Sequence, residues 1–241
     1  MNPASPKAKS SPDSPFSLEC VDAYARWRDA KLTNYPSKIE ALRIEITDPR
    51  KLRPAEQGAL VQCCRKANMV IYASRLGNQA DKNIPRQLGE QFGITHFDNN
   101  LLADEDAVTS LQVVPGKSDR GYIPYSNRRL LWHTDGYYNP PERRVRAFVL
   151  HCVSPAASGG ENALLDPEIA YLLLRDVNPE HIRALMQPDA MTIPANTEEG
   201  GEGRPAQTGP VFSIDPATDC LHMRYTEIGR ASCRERVLRR V

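Results

Sequence analysis

The chain has 241 residues, is 40% hydrophobic and carries 31 Lys and Arg against 30 Asp and Glu, a net charge of +1. This length suffices for one large domain with a substantial core. The balanced charge supplies no field that would attract nucleic acid or an anionic membrane surface. We therefore expect a small-molecule partner, no nucleic acid and no membrane. The oligomeric state is left open, a homo-oligomer included.

The N-terminal residues 1–15 are rich in Pro, Ser and Lys and lack the apolar stretch of a secretion signal. They predict a disordered leader. No later segment has the length and hydrophobicity of a membrane-spanning run. The six cysteines form no CxxC pair, which favours a reducing compartment over a disulfide framework. Together these features predict a cytoplasmic protein whose main domain spans residues 16–226.

Helices and strands are mixed in roughly the first ninety residues. Apolar residues recur at helical spacing over residues 18–31, and Pro54 begins a second helix. The runs ALRIEIT and NMVIYAS predict short strands, and residues 84–92 predict a further amphipathic helix.

Short apolar or alternating runs then dominate, divided by Gly, Pro, Asn and Asp clusters. They are SLQVVPG, LLWHTDGYY, VRAFVLHCV, MTIPA, GPVFSID and LHMRYT. This pattern is typical of a β-sandwich or barrel. A helix over residues 167–175 and a short helical turn at PEHIRALM interrupt it, and residues 195–209 predict a glycine-rich loop. The expected fold class is α+β.

The run LLWHTDGYY holds the residues with the clearest chemistry. His133 and Asp135 are two residues apart, so on an extended strand both side chains leave the same face. A non-haem Fe(II) oxygenase holds its metal with two histidines and one carboxylate, which leaves positions open for a co-substrate and O2. An HxD tripeptide also arises by chance, and a hydrogen-bonded pair at a strand end is the alternative.

WHTDG, the following VRAFVLHCVSP and then SGGENALLD resemble the Fe(II)/2-oxoglutarate dioxygenases of the taurine and 2,4-dichlorophenoxyacetate dioxygenase family (TauD/TfdA). The resemblance covers about residues 52–226. It implies a double-stranded β-helix (jelly-roll) core with N-terminal and inserted helices. It also implies that His133 and Asp135 bind Fe(II), that 2-oxoglutarate and O2 are co-substrates, and that a small, anionic organic substrate is hydroxylated while 2-oxoglutarate is decarboxylated to succinate.

The same resemblance implies further site residues. Asn162, in GGEN, stands where the family has a Thr that binds 2-oxoglutarate, and its amide can still donate to a carboxylate. Asn127 and Arg129 lie where the family often has a substrate-contacting polar residue, and an Arg there suits an anionic substrate. A solvated basic turn is the alternative. His96 belongs to a loop near the implied substrate mouth, where an ordinary loop histidine is the alternative.

The third iron ligand and the late 2-oxoglutarate-binding Arg have no good candidate in this chain. His222 is followed twelve residues later by Arg234, as the family spacing requires, but it lies in what looks like an earlier hairpin. Residues 227–241 carry five arginines and predict either a basic surface tail or a non-native end, since IGRASCRERV can be encoded by DNA resembling a sequencing adapter. If the end is non-native, the last jelly-roll strands are missing, and the chain as written is expected to be unstable and nearly inactive.

Two rival functions stay open at this point. One is a catalytically inactive jelly-roll module that uses the pocket to bind a ligand. The other is a dimerising or structural protein in which the HTD sequence is incidental.

Overall fold

The computed structural model describes residues 13–97, 108–113, 126, 128–195, 204–227 and 232–233. Asn127, one of the predicted substrate contacts, and most of residues 227–241 lie outside this part. The described helices are α1 (Val21–Leu32), α2 (Pro54–Ala67), α3 (Asn83–Glu90), α4 (Pro167–Val177) and α5 (Pro179–Leu185). The strands are β1 (Arg43–Ile46), β2 (Ile71–Ser74), β3 (Met191–Ile193), β4 (Gln207–Gly209), β5 (Phe212–Ile214), β6 (Leu221–Met223) and β7 (Ser232–Cys233).

Prolines and short polar side chains fix where the helices begin. Asp166 caps α4 by accepting a hydrogen bond from the Glu168 backbone N–H, and Asn178 caps α5 in the same way. Each cap is followed by a proline in the first turn, where its missing N–H costs nothing. The structure confirms the predicted helices, with ends shifted by a few residues. They are the helices at residues 18–31, 84–92 and 167–175, the helix that begins at Pro54 and the helical turn at PEHIRALM. None of the described helices has the length and hydrophobicity to cross a membrane.

The strands form three small sheets. β1 pairs with β2 in parallel, β3 lies between β4 and β7 in an antiparallel sheet, and β5 pairs with β6 in an antiparallel hairpin. The α+β class is confirmed. The strand predicted at LLWHTDGYY is reduced to one bridge between His133 and Thr226.

The run VRAFVLHCV was also predicted as a strand, and it makes no ladder with the described residues. Without a neighbouring strand its apolar side chains are uncovered: Phe148 and Leu150 are 57% and 54% exposed. The described strands consequently do not join into one jelly-roll, and that part of the expectation is not met within them.

The hydrophobic core joins the helices to the β3 and β5 region. Its buried members are Phe16, Tyr24, Tyr171, Ile182, Ala190, Met191, Ile193, Val211 and Phe212. The Tyr171 hydroxyl donates to the Phe16 carbonyl, and Arg175 donates to the Pro15 carbonyl at 2.9 Å. Ser14 is fully buried. The predicted leader is therefore wrong at its end, because residues 14 and 15 pack on the core, and residues 1–12 lie outside the described part.

A buried ionic network ties α1 to the start of α4. The Lys31 ammonium lies 2.7 Å from an Asp166 carboxylate oxygen and also pairs with Glu168. Asp166 further accepts hydrogen bonds from the Tyr35 hydroxyl and the Asn68 amide. Every oxygen of this carboxylate is thus satisfied, which is the condition under which a buried ion pair can be stable.

Replacing Asp166 with Asn should lower the free energy of unfolding by about 3 kcal/mol or more, because Lys31 loses a buried charge partner. Urea unfolding followed by circular dichroism measures the change. The matched control is Asp29→Asn on α1, since the Asp29 side chain is 78% exposed beside Arg28. This substitution should lower the free energy of unfolding by less than about 1 kcal/mol. Equal losses for the two variants would contradict the role given to the network.

Candidate metal centre

Backbone pairing orients His133. The Thr134 N–H donates to the Tyr225 carbonyl at 2.9 Å, and the Glu227 N–H donates to the Trp132 carbonyl at 2.8 Å. These two bonds flank the bridge between His133 and Thr226, which makes it a non-hydrogen-bonded antiparallel pair. In such a pair the two side chains lie close together on the same face. The Thr134 hydroxyl also accepts from the Tyr225 N–H and reinforces the contact.

His133 and Asp135 present two ligand atoms to the same region. His133 Nε2 lies 3.6 Å from Asp135 Oδ1, too far for a hydrogen bond. Metal–ligand bonds of about 2.0–2.2 Å to each atom would allow both to reach one cation. The His133 side chain is 21% exposed and that of Asp135 47% exposed, so a metal ion could enter from solvent.

The second ring nitrogen of His133 is already engaged. His133 Nδ1 lies 2.8 Å from the Leu131 carbonyl oxygen, which can only accept, so Nδ1 carries the hydrogen. This leaves the lone pair of the neutral ring on Nε2, on the side of Asp135. Metal-ligating histidines commonly show this arrangement, with the distal nitrogen held by a carbonyl or carboxylate.

The electrostatics of the pair favour a positive charge between the two side chains. Asp135 is the largest influence raising the pKa of His133, while burial of the ring opposes it. The same negative charge would attract a metal cation placed between the two side chains.

Gly136 lets the chain turn directly after the pair. Its φ is +64°, and a Cβ built there would lie 2.6 Å from a methyl carbon of Val145. A side chain would therefore be excluded by both backbone conformation and packing. The turn continues with the Asn139 N–H donating to the Gly136 carbonyl.

Three of the other predicted site residues, Asn162, Arg129 and His96, lie in the described part of the chain. Asn162 is exposed, and its amide donates to the Gly160 carbonyl within its own turn. Arg129 and His96 are exposed, and the His96 ring contacts the neighbouring Thr95 hydroxyl. Among the described residues, no hydrogen bond or ion pair links Asn162, Arg129 or His96 to the HTD pair.

The remaining histidines occupy separate environments. His151 Nδ1 lies 2.7 Å from the Tyr72 hydroxyl oxygen, and the two rings are stacked. His181 is buried in α5. In the described part of the chain no three His, Cys, Asp or Glu side chains are grouped to hold a metal. A third protein ligand is thus not supplied there.

Residues 28–238 match the family model "Taurine catabolism dioxygenase TauD, TfdA family". The chain belongs to the TauD/TfdA family of dioxygenases. It is also similar to a uridine-5'-phosphate dioxygenase from Amycolatopsis sp, at 33% identity over 101 residues, which is 40% of this chain. This alignment spans about a third of the relative's length. No solved structure matches the chain.

Sequence reasoning missed one polar cluster of this TauD/TfdA chain. Arg146 pairs with Asp215 at 2.6 Å, and their charges, with those of Arg144 and Arg224, act on His222. The alternation of arginines in RRVR was the available signal, because residues two apart on an extended segment share a face.

Replacing Gly136 with Ala should destabilise the protein by about 1–3 kcal/mol, since the new side chain meets both a positive φ and Val145. Thermal unfolding measures this loss. Gly58, inside α2 with nothing near its notional Cβ, is the matched control. Gly58→Ala should stabilise by about 0.5–1 kcal/mol. A stable Gly136→Ala variant would contradict the packing of the HTDG turn on Val145.

The stability of the chain should fall between pH 6.5 and pH 4 because of His222. Burial, then the charges of Arg144, Arg146 and Arg224, lower the pKa of His222 to about 4, with Asp215 opposing. The unfolded histidine has a pKa of about 6.5 and binds a proton in this range that the folded one does not, so acid favours unfolding. Urea unfolding at several pH values should show that the free energy of unfolding falls less steeply with acid in His222→Gln than in the parent chain. An unchanged pH slope would contradict this.

Proposed function

We propose that this protein is an Fe(II)- and 2-oxoglutarate-dependent dioxygenase that hydroxylates a small, anionic organic molecule and converts 2-oxoglutarate to succinate. The observation that carries the proposal is the HTD pair: His133 Nε2 and Asp135 Oδ1 lie 3.6 Å apart, with His133 Nδ1 held by a carbonyl. Membership of the TauD/TfdA family supports the reaction type.

His133 and Asp135 would hold the iron. Bound Fe(II), with 2-oxoglutarate and O2, would supply the oxidising power for hydroxylation. The contribution of this chain is positional: the bridge to Thr226 fixes the face on which the His133 ring lies, and the Leu131 carbonyl fixes its tautomer. Gly136, with a φ of +64°, turns the chain immediately after Asp135.

The substrate class is proposed on separate grounds. The name of the similar dioxygenase contains a phosphorylated compound, and arginine-bearing segments follow the HTD pair; both support an anionic substrate. Asn162 is retained as a proposed 2-oxoglutarate contact, and Asn127, Arg129 and His96 as proposed substrate contacts. We further propose a jelly-roll core for the domain, a cytoplasmic location and a small-molecule partner. The family match supports the first, and the cysteine pattern and balanced charge support the other two.

A catalytically inactive binding module is the second candidate. It is favoured by one observation: the described residues supply two metal ligands and no third. The two functions differ in their need for iron, so metal binding and turnover separate them.

Anaerobic equilibrium dialysis of the purified chain against Fe(II) tests the proposal. We expect binding that weakens by about tenfold or more in His133→Ala and in Asp135→Ala, because each removes a ligand. Asp22→Ala, an exposed carboxylate in the first turn of α1, is the matched control and should bind as the parent does. Fe(II) affinities unaffected by His133→Ala would refute the proposal.

Turnover is the second readout of the same experiment. Succinate formation from 2-oxoglutarate should require Fe(II) and be abolished in His133→Ala. We expect the rate of the 241-residue chain to be low, because only two ligands are present among the described residues. If the chain binds iron but forms no succinate with any member of a broad panel of anionic substrates, the result would favour the binding module.

A further inference from the structure

The segment that contains β6 and continues to Thr226, the partner of His133, has one apolar and one polar face. Leu221, Met223 and Tyr225 pack against the hydrophobic core. Because side chains alternate along an extended segment, His222, Arg224 and Thr226 lie on the opposite face. Thr226 is the cross-strand neighbour of His133. The HTD pair and the polar face of β6 therefore open toward the same side.

A second segment brings two arginines to this polar face. Val145 packs against Gly136, so Arg144 and Arg146 leave the chain on the other side. Arg146 reaches Asp215, with 2.6 Å between its Nη2 and the carboxylate Oδ2. Asp215 lies two residues after Ser213, and Ser213 pairs with His222 across the hairpin. The arginine segment is thus anchored both to the HTDG turn and to the β5–β6 hairpin.

The guanidinium of Arg224 is fixed by backbone carbonyls. It donates to the carbonyls of Met191 at 2.6 Å, Gly209 at 2.9 Å, and Pro210 and Gln207 at 3.3 Å. These carbonyls are neutral and leave its charge uncompensated. Arg224 thereby holds β6 against the β3–β4 sheet and adds a permanent positive charge behind His222.

The cluster carries more positive than negative charge. Of the charged groups that act on His222, three are cationic (Arg144, Arg146 and Arg224) and one is a carboxylate (Asp215), which gives a surplus of two positive charges. Arg144 is half-buried. Its burial and, to a smaller extent, the charge of Arg146 lower the pKa of Arg144, whereas the charge of Asp215 raises it. A half-buried charge with so little compensation is unfavourable by itself, and a bound anion would relieve it.

His222 completes the cluster as a neutral group. Burial and the three guanidiniums lower its pKa to about 4, so at neutral pH its ring is uncharged. A neutral imidazole has one N–H to donate and does not add to the repulsion among the arginines.

We propose that Arg144, Arg146 and His222 form a binding site for a dianionic group of the substrate, of the class of phosphate monoesters. The surplus of two positive charges matches a phosphate monoester, which carries close to two negative charges near neutral pH, and paired guanidiniums suit its oxygens. The proposal rests on the proposed function and names the substrate class of the same site. His222 and Thr226 are four residue steps apart, about 13 Å along an extended chain, so the site would hold the charged end of an elongated molecule that reaches toward His133.

Calorimetric titration of the full chain with inorganic phosphate at pH 8, in low salt and without metal or 2-oxoglutarate, tests the site. We expect saturable binding that weakens about tenfold or more in Arg144→Gln, since charged hydrogen bonds are lost. Asp215→Asn keeps the acceptor for the Ala217 N–H and frees Arg146, so it should bind phosphate more tightly than the parent. Acetate, a monoanion, should bind more weakly than phosphate.

Arg43→Gln, on exposed Arg43 of β1, is the matched control and should leave phosphate binding unchanged. If Arg144→Gln does not fold, as judged by circular dichroism, Asp215→Asn decides alone. Weaker phosphate binding in Asp215→Asn, or a parent chain that binds phosphate no better than acetate, would overturn the proposal. Because the phosphate titration contains no iron, its failure would not affect the result of the Fe(II) dialysis. A failed Fe(II) dialysis would likewise not affect the phosphate titration.

Discussion

The pairing of residues 132–134 with residues 225–227 is the constraint on which the rest of the site depends. Its two backbone bonds place His133 beside Thr226, and the alternation of the second segment places Tyr225 against the core. Tyr137 and Tyr138, which follow the HTD pair, also pack against the hydrophobic cluster, so the candidate metal centre is attached to it from both segments. The same alternation turns His222 and Arg224 to the side of His133. Metal ligands and charged groups thus share a face because their two segments pair with each other.

Local chemistry made much of the fold predictable. Helix α4 begins where a capping Asp is followed by Pro, and the alternation in GPVFSID and LHMRYT gave β5 and β6. The family likeness was readable because its ligands are two residues apart, a spacing that sequence displays directly. Strand predictions failed where they needed a distant partner: VRAFVLHCV has the right pattern, yet no described segment supplies backbone groups for it.

Long-range placement explains the other differences. His181 has a polar sequence neighbourhood, but α5 packs it inward, which depends on how α5 meets α4 and not on local pattern. The cluster of Arg146, Asp215 and His222 joins one segment to a hairpin about 70 residues later in the chain, so the spacing in RRVR indicates a charged face but does not reveal its partners. The buried Lys31–Asp166 pair is equally non-local, and it shows that charge in this chain is used to fasten helices as well as to prepare a site.

The central claim is that His133 and Asp135 share one divalent metal ion. Anomalous diffraction at the iron edge, from crystals grown anaerobically with Fe(II), tests it most directly. We expect a single strong peak within about 2.0–2.2 Å of both His133 Nε2 and the Asp135 carboxylate. Iron bound elsewhere on the chain, with the HTD pair left unoccupied in those crystals, would contradict it.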